Sequence, residues 1–168
     1  MIRAAKYLLA LGLLAVSPST GLAQEGGWVY RADADPAELG YAGPDGQGVQ
    51  LVLSCSKDSR QITAYFPTSR TLAVRNENGR WFDDVGRPAP WPVSVTLRSG
   101  EAATTIPGEA SPGPSPEGSA VRVEFADRAP VAENFARSGE FSVAALGSVI
   151  APPAAPRRDV RSFLRYCR

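Results

Sequence analysis

Apolar and polar residues alternate with period two through most of the chain beyond residue 24, the signature of strands with one buried face. In GVQLVLSC, Val49, Leu51, Leu53 and Cys55 fall on one side while Gln50 and Ser54 fall on the other, so Cys55 belongs to a core face. The inward set of RQITAYF is Ile62, Ala64 and Phe66; that of TLAVR is Leu72 and Val74. VSVTLR supplies Val93, Val95 and Leu97, AVRVEF supplies Val121, Val123 and Phe125, and EFSVAAL supplies Phe141 and Val143. Trp28 and Tyr30 share one face of a run nearer the start. Asp45-Gly46, Lys57-Asp58-Ser59 and Asn78-Gly79 are turn signals between runs, and short connections of this kind favour antiparallel pairing.

Two stretches depart from period two. Pro130–Ser138 predicts a helix, with proline in the first turn where its missing N–H costs nothing, Val131 and Phe135 four apart, and Gly139 as the stop. Arg157–Cys167 predicts a second, because Val160, Phe163, Leu164 and Cys167 recur at i, i+3, i+4 and i+7 and form one apolar stripe. Cys167 therefore also faces the core. Pro107–Gly118 (PGEASPGPSPEG) reads as a mobile surface loop, and Pro88, Pro90 and Pro92 around Trp91 as the approach to an edge strand. The expected fold is mainly β. It is an antiparallel sandwich-like domain over residues 24–168, with a short helix before the last strand and a C-terminal helix against the sheet.

The first 23 residues carry a different pattern. Arg3 and Lys6 precede the apolar run YLLALGLLAV, which ends at Ser17-Pro18, and Gly21-Leu22-Ala23 sets small residues where a signal peptidase needs them. Cleavage after Ala23 is expected, and the apolar run is too short for a membrane span of roughly 20 residues. Export to a periplasm or beyond follows. Arginine supplies 16 of the 18 basic residues in a chain rich in Ala, Pro and Gly, a composition that fits a bacterial source. In an oxidising compartment the only two cysteines, Cys55 and Cys167, are expected to pair.

Composition then narrows the chemistry. The chain has no histidine, which removes the usual general base, the commonest metal ligand and the centre of Ser/His or Cys/His catalysis. No cofactor or metal site is expected. Ser54–Lys57 spells S-x-x-K, but S-D-N and K-T-G are missing and the serine sits on a strand face. Asp83-Asp84 and the group Asp33, Asp35 and Glu38 are close carboxylates without the spacing of a calcium loop, and read as solvated turns. Trp81, Phe82 and Trp91 lie near one another beside prolines; packing is the first reading and a ligand platform the second.

Charge supplies the one partner signal. Lys+Arg number 18 against 17 Asp+Glu, so there is no global field for nucleic acid. The terminal helix, however, carries Arg157, Arg158, Arg161, Arg165 and Arg168 against Asp159 alone. Arg157, Arg161, Arg165 and Arg168 line one stripe able to meet an acidic protein surface, or else form a solvated face suited to the helix dipole.

An early Trp, a strand ending LVLSC, the run APVAENFARSGEFSVAAL and the closing Phe163, Leu164 and Cys167 together resemble a loose group of small exported bacterial domains. Some of its members resemble accessory proteins of the type VI secretion apparatus. The resemblance rests on cysteine and core positions, and implies a fold and an envelope setting, with no catalytic residue to transfer. The expected function is an exported, non-enzymatic binding or accessory domain whose partner is a periplasmic or envelope protein. Two alternatives are an inhibitor that inserts a rigid loop, with Pro107–Gly118 as candidate, and a hydrolase built on converging carboxylates.

Overall fold

The computed structural model describes residues 26–44, 48–114 and 117–168. Residues 1–23, expected to be a signal peptide, and the Asp45-Gly46 turn signal lie outside the described residues. The strands are β1 (Gly27–Arg31), β2 (Ala37–Ala42), β3 (Val49–Cys55), β4 (Gln61–Thr68), β5 (Arg75–Glu77), β6 (Arg80–Phe82), β7 (Trp91–Ser99), β8 (Ala102–Pro112), β9 (Ser119–Ala126), β10 (Ser142–Ala145) and β11 (Ser148–Ile150). The helices are α1 (Pro130–Ser138), between β9 and β10, and α2 (Arg157–Tyr166). The chain is mainly β: one curled antiparallel sheet in the order β1-β2-β3-β4-β9-β8-β7-β10-β11, and a separate hairpin, β5-β6.

The sheet is continuous but pinched in the middle. β4 and β9 pair along Gln61–Thr68 against Ser119–Ala126, and β7 and β8 along Trp91–Ser99 against Ala102–Ala110. β8 and β9 meet only through Glu109–Pro112 and Ser119–Arg122. Two wings therefore diverge from a short hinge of pairing, β1-β2-β3-β4-β9 on one side and β8-β7-β10-β11 on the other, which gives the sandwich-like form. One apolar cluster fills the space between them. α1 packs on β7 and β8, α2 on β2 and β1, and the helices touch each other. Phe125 stacks on Phe141, which meets Phe135 of α1, and Phe135 meets Trp28 of β1. The Trp28 indole N–H donates to the Pro153 carbonyl at 2.7 Å, tying the first strand to the segment that follows the last.

Both helices form where the apolar spacing places them. Gly139 ends α1 at φ 77°, its N–H returning to the Phe135 carbonyl, and a Cβ there would lie 2.3 Å from the Ala155 carbonyl oxygen. Glycine alone fits that backbone and that gap. In α2, Val160, Phe163 and Leu164 are buried, and Cys167 follows the last turn with no exposed surface. Cys167 is bonded to Cys55 with 5.6 Å between the Cα atoms. Two main-chain bonds reinforce the tether, from Asp58 N–H to the Tyr166 carbonyl and from Arg60 N–H to the Cys167 carbonyl.

Several expectations are corrected. Pro107–Gly118 is not one loop, because residues 107–112 belong to β8, the longest strand. Pairing with Trp91–Ser94 overrides the proline and glycine content there. Trp91 opens an interior strand, not an edge strand; Pro92 is tolerated because β10 reaches β7 only at Thr96–Arg98, which leaves the start of β7 paired on one side. Val49 is 61% exposed, since the ladder skips Gln50 at a bulge opposite Tyr41 and Ala42 and the alternation slips. TLAVR is irregular: Ser119 Oγ and Thr71 Oγ1 hold it through backbone contacts at Leu72, Arg70 and Gly118, and Val74 is exposed.

Candidate functional site

The basic stripe of α2 is assembled by helix geometry. At about 100° per residue, Arg157, Arg158, Arg161 and Arg165 fall within one arc of roughly 100°, and Val160, Phe163, Leu164 and Cys167 occupy the neighbouring arc against the sheet. All four arginines are exposed, and none forms an ion pair with a described residue. The helix beneath them is held by the disulfide, the apolar stripe and the two main-chain bonds at its end. Four positive charges are thus displayed on a helix tethered at its C-terminal end.

Arg168 does something else. Its Nε donates to Oδ2 of Asp127 at 3.0 Å, and the Asp127 side chain is only 3% exposed. The Asp127 N–H in turn donates to the Arg60 carbonyl, so Arg168 neutralises a buried acid at the foot of β4 and β9. Beside it, burial first and the Asp35 carboxylate next push the Tyr166 phenol above its ordinary value. Tyr166 donates to Asp35 Oδ1 at 3.4 Å.

The remaining sequence-derived candidates separate. Asp35 also accepts the Lys57 N–H, so it anchors the β3–β4 turn to the end of α2, while Asp33 and Glu38 are exposed. Asp83 is buried in its own turn, where it accepts the N–H groups of Val85 and Arg87 and the Arg87 Nε at 2.8 Å; Asp84 is exposed. Burial alone would raise the Asp83 pKa, but the hydrogen bonds and charge of Arg87 outweigh it and hold the carboxyl below its ordinary value. Ser54 lies between its register partners Glu38 of β2 and Thr63 of β4 and keeps only 9% of its surface exposed, and Lys57 is exposed. The aromatics part company as well: Trp91 is buried with its N–H on the Arg87 carbonyl, whereas Trp81 is exposed on the β5-β6 hairpin. No platform forms from them.

One cluster escapes sequence reasoning altogether. On the outer face of the sheet Tyr65 of β4, Arg122 of β9 and Glu109 of β8 are register partners in a row. Arg122 Nε donates to the Tyr65 hydroxyl at 3.2 Å, and its guanidinium pairs with Glu124 and lies 3.7 Å from Glu109. Each strand by itself shows only a polar outward residue, and register alone brings them together. Among the described residues no group of three or more Cys, Asp or Glu is placed to hold a metal ion. No described helix is long and apolar enough to cross a membrane. Compared with protein-family models, curated proteins and solved structures, the chain matches none.

Proposed function

We propose that this is an exported, non-enzymatic binding domain that docks an acidic surface of a periplasmic or envelope protein through Arg157, Arg158, Arg161 and Arg165 of α2. The observation that carries the reading is four exposed arginines with no acid partner among the described residues, on a helix that the Cys55–Cys167 bond tethers to β3. A helix backbone already held in place loses little segmental entropy on association, and the field of its arginines steers an acidic partner and sets its register. Export is supported by the N-terminal pattern of residues 1–23 and by the disulfide, which persists in oxidising compartments. A place beside a secretion apparatus is the setting that the resemblance implies.

The test is chemical cross-linking in periplasmic extract followed by affinity measurement on the captured partner, native against Arg161→Glu with Arg165→Glu. The expected result is a loss of about 100-fold or more in affinity for the double reversal, and a steep salt dependence for the native protein. An association that is indifferent to both the reversal and salt removes the arginine face from the account.

A further inference from the structure

The pinch in the sheet leaves two strand edges facing each other without a strand between them. Beyond Glu109 and Arg122 the ladder stops, yet β8 continues to Ala102 on one side and β9 to Ala126 on the other. Each strand has its second neighbour, β7 and β4, so the free groups all point into the gap. The space there is a cavity of about 490 Å³ bounded by Thr104 and Ile106 of β8, Phe125 and Ala126 of β9, and the first turn of α1 at Pro130 and Val131. A second cavity of about 330 Å³ adjoins it at Pro107 and Glu124 and opens past Glu109 and Arg122.

We propose that this cleft accepts an extended peptide segment of a partner protein, added antiparallel to the edge of β8 over Ala102–Ile106. Backbone N–H and C=O groups on a strand edge are matched by one ligand chemistry above others, another strand. The length is set by the chain: Pro107 has no N–H to give, so five residues, a span of about 17 Å, remain for pairing. The inward positions of β8 in this stretch, Ala102, Thr104 and Ile106, are each half-buried, unlike the fully buried Val95 and Leu97 on β7, so alternate residues of an incoming segment find apolar surface to cover. Charge selects among segments. Glu109 and Glu124 stand at the mouth with Arg122 as the cation between them, a net negative rim that favours a segment carrying Lys or Arg. This ligand is of opposite charge to the one proposed for α2, and the two sites are independent.

The probe is a displayed library of random heptapeptides selected on the full mature chain. The expected result is enrichment of sequences with alternating apolar residues and one basic residue, with slowed amide exchange at Ala103 and Thr105, whose N–H groups face away from β7, when they bind. Ala126→Trp, at an exposed position on the cleft wall, should weaken them at least about tenfold, and Glu124→Lys should shift the enriched charge from basic to acidic. Far-UV circular dichroism and a cooperative urea transition matching those of the native protein show that both variants fold. The proposal is overturned if no sequence is enriched, if enriched peptides bind Ala126→Trp equally well, or if the β8 amides become protected by self-association, which would make the occupant a second copy of this chain.

Discussion

The C-terminal corner and the β5-β6 hairpin are both short appendages, and they are held by opposite means. At the corner, α2 lays Val160, Phe163 and Leu164 into the common core and the disulfide joins residues 112 apart in sequence. The hairpin buries almost nothing: Arg75–Trp81 are all exposed, and Phe82, half-buried, is covered by the guanidinium groups of Arg75 and Arg80. Its base is fastened by the polar turn around Asp83, by main-chain bonds from Val74 to Phe82 and from Ala89 to Trp81, and by the Trp91 N–H. A remote segment needs apolar area and a tether to overcome chain entropy, whereas a local one can be set by a few hydrogen bonds across a turn.

That contrast can be broken from either side. Replacing both Cys55 and Cys167 by Ala should lower stability by about 4 kcal/mol in the chain-entropy account of so large a loop, measured by urea denaturation. Amide exchange should rise in α2 and stay unchanged in the hairpin; a loss under about 1 kcal/mol would show that apolar packing alone holds the helix. Arg168→Ala strands the buried Asp127 carboxylate and should lower stability by about 1–3 kcal/mol in the same assay.

At the hairpin, pH is the sharper tool. The Asp83 carboxyl titrates below its unfolded value because the Arg87 contacts outweigh burial, so its contribution is fully present above the unfolded carboxylate pKa of about 3.9 and is lost as pH falls through the lower folded value. The Val85 and Arg87 amides should therefore stay protected at pH 5 and open only as pH falls through that lowered value, before the sheet melts, and in Asp83→Ala they should be open throughout. The smallest effect belongs to the display face: Arg157→Ala, Arg161→Ala and Arg165→Ala should each stay within about 0.5 kcal/mol of the native protein, in contrast to Arg168→Ala.

Sequence reading reached furthest where one periodicity decides one face. The helix at Pro130–Ser138 has the bounds its spacing predicts, and the core sides of β3, β4, β9 and α2 are those expected from Leu51, Ile62, Val121 and Phe163. It failed where a partner strand overrides local composition. Nothing in PGEASP announces a strand, since the ladder to Trp91–Ser94 is made by residues some 15 positions away. The bulge that exposes Val49 depends on Ala42, and the low exposure of Ser54 on the strands that flank it at Glu38 and Thr63. Of the stripe proposed for binding, Arg157, Arg161 and Arg165 are presented together, while Arg168 is committed to Asp127, an acid 41 residues earlier that helical spacing has no means of indicating.

Alternation and helical spacing, read along the chain, were enough to determine the β class, both helices and the inward direction of both cysteines, because burial of one face per element is a local demand of the hydrophobic effect. Which strands became neighbours, where β8 parts from β9 and how Tyr65, Arg122, Glu109 and Glu124 came to share a surface were decided only on folding. Those relations join positions far apart in sequence, and the free energy that selects them exists only once the loops have closed and the common core has formed.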